Sequence, residues 1–346
     1  MRITLVKLGH VPALDGLRGI AIAAVCALHF FGMPGGYFGV DLFFVLSGFL
    51  ITTLLLEERD EHGSISLRNF YLRRARRLFP ALAAFLLASL ICVLVVHGSQ
   101  VPVTAHAFLF GGFYLANIAW AFQHPSPIAG TPFTLLWSLA QEEQFYLLWP
   151  LLLIGLLRFR RDTVAKILLT LFVGLFLYKL GLVAEGATWA RLYFGPDTHL
   201  GGLVIGCFAA VLRREGGRVP ARVGWGAAVF ALGCMIGVAG TVQSDVFGCP
   251  LVDVCCGAAV LAALEPGLLG RVLSTRWLTL VGRVSYSLYL WQGLALWLTN
   301  WNHKLFALAL SIVLATASYR FVENRFRKRR ASPALQPAVA LSVSGS

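Results

Sequence analysis

Apolar segments of membrane-spanning length recur along almost the whole chain, separated by short polar stretches. About 20 apolar residues are needed for a helix to cross a bilayer, and most of these segments approach or exceed that length. Because backbone groups in lipid must be hydrogen-bonded internally, the pattern predicts an all-α, polytopic membrane bundle. Eleven candidate segments are present: 14–32, 38–56, 79–97, 105–122, 134–157, 164–184, 198–212, 222–240, 250–268, 283–300 and 304–322.

Basic residues divide the connecting segments into two groups. Lys and Arg are concentrated in five of them: 57–78, 158–161, 213–222, 271–283 and 325–330. Four others contain neither residue: 33–37, 98–104, 241–249 and 301–303. Since short basic loops face the cytoplasm, the two groups are expected on opposite sides of the membrane.

Eleven crossings do not fit this charge pattern, because loop 158–161 and the basic tail would then both lie outside. Ten spans with both termini in the cytoplasm do fit, provided that one segment between residues 98 and 157 fails to cross. The segment 105–122, or the front of 131–157, is therefore predicted to be re-entrant or to line a cavity wall.

Composition supports the membrane assignment and excludes other classes. The chain is 58% hydrophobic and 13% charged, whereas about a quarter of residues are charged in a soluble domain. The net charge of +13 lies largely in the short loops, so membrane orientation explains it without a nucleic-acid partner. The 7 cysteines form no Cys-x-x-Cys or Cys/His pattern, and no metal is expected. Residues 1–330 are predicted to form one membrane-embedded domain, and the low-complexity residues 331–346 a disordered cytoplasmic tail.

The first apolar segment carries ionisable groups that are costly in lipid. Arg18 and His29 are eleven residues apart, which is about three helical turns, so they share one face at a separation of about 16 Å. Asp41 follows in the second segment. Intramembrane ionisable residues point to function, and a neutral His in such a place is suited to act as a general base.

Two further stretches combine charge with helical spacing. Arg73, Arg74 and Arg77 directly precede the third segment, where they either anchor the span on its cytoplasmic side or bind the phosphates of a cofactor. In the stretch 137–146, Ser138 and Glu142 share a helix face, while the adjacent Glu143 points about 100° away. The two acids are therefore not expected to share one role.

Two candidate sites lie further along the chain. Loop 185–200 brings Arg191, Asp197 and His199 to the outer side, as part of a substrate site or of an ordinary polar loop. The strip 285–292 contains Tyr289 and is either an interfacial aromatic belt or the wall of a site.

Several of these stretches, in this order, resemble the membrane acyltransferase-3 family, whose members O-acylate bacterial surface polysaccharides, some lipids and some macrolides. The resemblance extends from about Pro12 to Arg330. It is carried by these blocks: LDGLRGIAI followed by His29, GVDLFFVLSGFLIT, RRARRLFP, WSLAQEEQFYLLWPLLL, RLYFGPDTHLGGLVIG, GRVSYSLYLW and SYRFVEN.

The resemblance implies an integral-membrane O-acyltransferase of the bacterial cytoplasmic (inner) membrane. It would move an acyl group, most simply acetyl, from cytoplasmic acyl-CoA to a hydroxyl of a sugar-containing acceptor, in contact with membrane lipids and without nucleic acid or metal. The acceptor is open between a surface polysaccharide, a cell-wall or glycolipid precursor and a macrolide. The expected catalytic residues are His29 as the base, with Arg18, Glu142 and Asp41. Residues Arg73, Arg74 and Arg77 would bind the cofactor, and Ser138, Arg191, Asp197 and Tyr289 the substrate.

The chain departs from the family pattern at two outer positions. His199 stands where members often have Arg, and Gln292 stands where they often have the His of a His-x-Pro sequence. A transporter or flippase for a glycan intermediate is the rival hypothesis, since buried charges and a half-crossing segment suit it equally well. A membrane sensor or scaffold is a third alternative.

Overall fold

The computed structural model describes residues 8–96, 101–123, 125–300 and 302–328, and every regular element in those ranges is helical. The predicted tail 331–346 lies outside the described residues. The helices are α1 Pro12–Phe31, α2 Phe38–His62, α3 Leu67–Val96, α4 Val101–Gly112, α5 Ala116–Phe122, α6 Trp137–Leu156, α7 Arg161–Ala184, α8 Trp189–Phe194, α9 Gly201–Arg214, α10 Ala221–Gly237, α11 Cys249–Ala263, α12 Leu268–Leu273, α13 Arg276–Leu298, α14 Lys304–Ala317 and α15 Asn324–Lys328. A 3₁₀ turn at Thr134–Leu136 precedes α6, and π-helical turns at Ser244–Gly248 and Ser318–Glu323 precede α11 and α15.

Six helical segments are long and apolar enough to cross a membrane, and up to seven if a bent pair counts as one span. The six are α1, α2, α3, α7, α11 with its π turn, and the last segment Lys304–Phe326. The other predicted segments coincide with α6, α9, α10 and α13, which are shorter or carry more polar side chains. The helical membrane class is confirmed at this level, and the count of ten spans stays a prediction.

The bent pair is one of the two segments that the charge pattern left as candidates for a segment that does not cross. Residues Ala105–Gly112 and Ala116–Phe122 meet at an angle of 117°, so 105–122 is either a broken span or a re-entrant loop. Tyr114 stands at the break with a positive φ of 56°, an unusual backbone conformation for a residue with a side chain.

Helix α2 lies at the centre of the bundle, and α7 lies at its edge. Within the most apolar 18 residues, 78% are buried in α2 but only 11% in α7. Helix α1 packs closely on α13, and α2 packs closely on α9. Glycines make both approaches possible, because a Cβ on Gly282 would collide with the Asp15 carbonyl and one on Gly206 with the Val45 carbonyl.

The α2–α9 contact gives a stability prediction. Gly206→Ala places a methyl group against the α2 backbone, so we expect a loss of about 1–3 kcal/mol, typical of overpacking. Gly174→Ala in α7 is the matched control, because a Cβ there meets nothing within 4 Å. The thermal unfolding midpoints of the purified proteins in detergent provide the measurement. Equal midpoints for both variants would show that α2 and α9 are not in close backbone contact.

Candidate active site

A cavity of about 560 Å³ opens among α1, α2, α3, α6 and α13. Its polar wall comes from five elements: Arg18 of α1, Ser47 of α2, Arg74 and Arg77 of α3, Ser138 and Glu142 of α6, and Tyr289 of α13. The π-helical turn Ser318–Glu323 adds Tyr319 and Glu323, and Ser287 donates a hydrogen bond to Glu323. This cavity thus collects predicted residues that are far apart in sequence.

Glu142 is the acidic centre of this cavity. Its Oε1 accepts a hydrogen bond from Ser47 Oγ at 2.8 Å, and its Oε2 accepts one from Tyr146 OH at 3.2 Å. Glu143 does not border the cavity among the described residues, as the helical spacing predicted. The two adjacent acids therefore have different surroundings.

Arg74 is held against the same tyrosine. Its guanidinium carbon lies 3.7 Å from the centre of the Tyr146 ring, and its buried Nε has no hydrogen-bond partner among the described residues. A guanidinium stacked in this way has its position fixed while N–H donors remain for an anionic ligand. Arg77 borders the cavity beside it.

Arg73 has a different environment from Arg74 and Arg77. It forms a 2.7 Å ion pair with Glu58 and borders a neighbouring groove of about 530 Å³. Arg74 and Arg77 border both the groove and the larger cavity. The basic cluster thus stands at the junction between the two spaces.

Arg18 is surrounded by charges of both signs. Asp15, one turn earlier, lies 3.7 Å from Arg18, 3.6 Å from Arg283 and 2.8 Å from the His10 ring. Arg18 borders the 560 Å³ cavity at the first turns of α1. It is therefore placed to contribute positive charge to that cavity.

His29, in the last turn of α1, borders a second and smaller chamber of about 170 Å³. The chamber wall is aromatic and includes Tyr37, Trp120, Trp137, Trp189, Tyr193, Phe194 and Tyr289. Arg18 and His29 share a face of α1, as predicted, but they open into different spaces.

Gln292 orients the His29 ring. The Gln292 Oε1 atom lies 3.2 Å from His29 Nδ1, and an amide oxygen can only accept a hydrogen bond. The proton therefore sits on Nδ1, which leaves Nε2 as the basic nitrogen of the ring. The departure of residue 292 from the family pattern thus places an orienting group beside the predicted base.

Tyr289 borders both the cavity and the chamber. Its hydroxyl donates to the Leu135 carbonyl at 2.9 Å, so the 2.6 Å contact with Ser138 must use the Ser138 proton. The pair therefore lies at the boundary between the two spaces.

Asp41 of α2 is paired with His199. Its carboxylate contacts His199 Nε2 at 3.0 Å, and both side chains are buried. Its role in the catalytic group stays a prediction, and its observed partner is the second residue that departs from the family pattern.

Arg191 and Asp197 are paired with each other. Two N–H groups of Arg191 reach the two carboxylate oxygens of Asp197 at 2.8 and 2.5 Å, and Tyr178 OH donates to Asp197 at 2.9 Å. Burial acts to raise the pKa of Asp197, but the hydrogen bonds from Arg191 and Tyr178 outweigh it and hold that pKa below its ordinary value. The pair fastens the loop that carries α8, and neither residue borders the chamber among the described residues.

The residues that sequence reasoning missed are the aromatic side chains of α8. Trp189, Tyr193 and Phe194 come from the loop predicted to hold substrate, but they reach the chamber where Arg191 and Asp197 do not. Trp189 stacks on Tyr193 with ring centres 4.8 Å apart. Their density within six residues of sequence was the available signal.

The structure is a helical bundle with several segments long and apolar enough to cross a membrane, and it contains a cavity bordered by arginines and a chamber bordered by His29. Comparison with known proteins gives the family: residues 11–321 match the family described as an acyltransferase domain. The chain therefore belongs to this acyltransferase family, and the resemblance seen in the sequence is confirmed.

Curated relatives carry related names. The peptidoglycan O-acetyltransferase OatA of Listeria monocytogenes is 30% identical over 359 residues, which cover 92% of this chain and 56% of the relative. The putative peptidoglycan O-acetyltransferase YrhL of Bacillus subtilis is 30% identical over 92% of this chain and 55% of its own length. A putative O-acetyltransferase of Staphylococcus aureus is 30% identical over 93% and 58%. The chain thus spans somewhat more than half the length of these relatives. No solved structure gives a significant match.

Proposed function

We propose that this protein is an integral-membrane O-acetyltransferase that moves an acetyl group from acetyl-CoA to a hydroxyl of a peptidoglycan-related acceptor. The observation that carries the proposal is the pair of spaces that meet at Tyr289, one basic and one containing His29. The names of the relatives support the acetyl group and favour peptidoglycan over a macrolide or a glycolipid as the source of the acceptor.

The donor enters through the 530 Å³ groove in this proposal. Arg74 and Arg77 border the groove and the cavity, so a phosphate bound there would have its nucleotide on one side and its pantetheine arm on the other. Guanidinium groups bind phosphate through paired N–H donors. The arm would then extend past Arg18 and Glu142 towards Ser138.

The acceptor meets His29 in the aromatic chamber. Aromatic side chains give a flat apolar wall for a sugar ring, and Nε2 of His29 takes the proton of the acceptor hydroxyl as its oxygen attacks the acetyl carbonyl. The thiolate of CoA leaves as the carbon–sulfur bond breaks. Gln292 stabilises the protonated ring through the proton on Nδ1.

The acetyl group must pass Tyr289 to reach His29. We propose that donor binding displaces the Ser138–Tyr289 hydrogen bond and opens the route between the two spaces. The passage is compatible with direct transfer to the acceptor or with prior transfer to Ser138 or His29.

The topology is part of the same proposal. The domain 1–330 would span the bacterial cytoplasmic membrane ten times with both termini inside, so that the 530 Å³ groove faces the cytoplasm and the His29 chamber lies towards the outer side. Membrane vesicles supplied with acetyl-CoA and peptidoglycan fragments test the activity. Release of free CoA together with acetylated fragments is expected, whereas fragment movement without CoA release would indicate a transporter.

The proposed role of Arg74 in donor binding gives a kinetic prediction. Arg74→Lys keeps the positive charge but loses the planar group that stacks on Tyr146, so we expect the KM for acetyl-CoA to rise about tenfold, or ~1.4 kcal/mol, with little change in kcat. Arg73→Lys is the matched control, because Arg73 is paired with Glu58 and should alter KM by less than about threefold. Initial rates of CoA release against acetyl-CoA concentration provide the measurement. An unchanged KM in Arg74→Lys would exclude Arg74 from donor binding.

A further inference from the structure

A second cluster of potential ligands lies behind the wall of the His29 chamber. Asp41 comes from α2, His199 from the segment before α9, and Cys249 from the start of α11. One ligand atom of each lies within 4.8 Å of the others, and all three side chains are buried. Their separation in sequence explains why no cysteine or histidine spacing revealed them.

The hydrogen bonds of His199 fix which nitrogen faces this cluster. Its Nδ1 lies 2.7 Å from the Tyr193 carbonyl oxygen, which can only accept, so Nδ1 carries a proton. Its Nε2 then points a lone pair at the Asp41 carboxylate, 3.0 Å away. A positive charge must lie between or beside these two atoms, and it is either a further proton or a cation.

One carboxylate oxygen favours the cation. Asp41 Oδ2 is buried and has no hydrogen-bond partner among the described residues. A single proton between His199 Nε2 and Asp41 Oδ1 would leave that oxygen unsatisfied, at a cost that buried carboxylates rarely bear. A divalent cation beside Asp41 attracts both oxygens of the carboxylate.

The neighbouring space and charges agree with one small occupant. A cavity of about 20 Å³, enough for a single water-sized atom, is bordered by His199, Cys249 and Asp253. Lys179 also borders it, but its Nζ pairs with Asp245 at 3.1 Å, so its charge is already balanced there. Within the described part of the chain, the carboxylates of Asp41 and Asp253 have no such basic partner besides His199.

We propose that Asp41, His199 and Cys249 bind a divalent cation of the zinc type, with Asp253 beside it. A thiolate, an imidazole nitrogen and a carboxylate are the ligands that zinc takes in proteins, usually as four ligands in a tetrahedron. The Cys249 thiol, which lies 3.6 Å from Asp245 Oδ1, releases its proton on binding. The Nδ1–H bond to a backbone carbonyl is the arrangement that orients metal-binding histidines.

The cation is structural in this proposal. It joins α2 and α11 to the segment that carries α8, whose Tyr193 borders the His29 chamber. Loss of the cation would therefore loosen one wall of the chamber. It would leave the 560 Å³ cavity proposed for the donor (the donor cavity) unchanged.

The metal content of the untagged, detergent-purified chain tests the proposal. After chelation and reloading with Zn²⁺, we expect about one equivalent by elemental analysis, and with Co²⁺ a thiolate charge-transfer band in the near ultraviolet. Cys249→Ser should lose the band, whereas Asp162→Asn, at an exposed residue of α7 paired with Arg160, should keep both signals. His199→Arg supplies a fixed positive charge instead of the cation, so it should stay folded in thermal unfolding but bind no metal.

Two results would overturn the inference. The first is a folded wild-type chain that retains no Zn²⁺ or Co²⁺ after reloading. The second is equal metal content in wild type, Cys249→Ser and His199→Arg, which would place the metal elsewhere. Neither readout depends on acetyl transfer, so the metal site and the proposed function can fail separately.

Discussion

His29→Ala should lower acetyl transfer about 10²- to 10⁴-fold, the usual contribution of a positioned general base. His29 borders the aromatic chamber and not the donor cavity among the described residues, so the variant should still bind acetyl-CoA with wild-type affinity. Loss of the rate with unchanged donor binding is the expected signature. The measurements are base-released acetate from acetylated peptidoglycan fragments and a binding isotherm for acetyl-CoA.

The matched control is His303→Ala, at an exposed residue that precedes α14. It should retain both the rate and the affinity. Wild-type transfer by folded His29→Ala would remove His29 from the chemistry. A parallel loss of donor affinity would show that the chamber and the cavity act as one site rather than two.

Glu142→Gln is expected to have the second largest effect, a loss of about 10²-fold in kcat/KM for acetyl-CoA, which corresponds to ~2.7 kcal/mol. Glu142 accepts hydrogen bonds from Ser47 and Tyr146, and Tyr146 in turn supports the guanidinium of Arg74. An amide presents an N–H₂ group to one of those hydroxyls and removes one of the negative charges near the guanidinium groups. The Arg74 guanidinium should therefore lose the position in which it is proposed to bind the donor.

Glu143→Gln is the adjacent control. Glu143 does not border the donor cavity among the described residues, so its variant should keep the rate within about threefold. Initial rates of CoA release in detergent or in vesicles provide the comparison. If the two variants lost activity equally, the assignment of one acid to the site by helical spacing would be wrong.

The relative directions of two site residues could be predicted where both residues lie on the same helix. The shared face of Arg18 and His29, and the separate directions of Glu142 and Glu143, follow from 100° per residue and can be read from the sequence alone. The interrupted segment 105–122 is indicated by the charges of the loops, and the structure bends it by 117°. Each of these features depends on local geometry or on the number of basic residues.

Contacts between distant segments could not be predicted in this way. Asp41 or Glu142 was predicted to balance charge in a cavity that also holds His29, and the structure pairs Asp41 with His199, 158 residues later. The substrate role of Arg191 and Asp197 stays a prediction, and the structure adds that the two side chains form an ion pair with each other. In a chain that is apolar on nearly every face, periodicity does not tell which side of a helix meets a neighbour.

By itself, the sequence determined the helical membrane class, the acyltransferase resemblance and the residues that each helix presents on one face, because these follow from local length, composition and spacing. Only the tertiary structure decided that Arg18 and His29 open into different spaces, with Tyr289 between them. It alone brought Asp41, His199 and Cys249 together. The physical reason is that these relations depend on how glycine-lined helices approach one another, and helix packing is a property of pairs of segments rather than of any one of them.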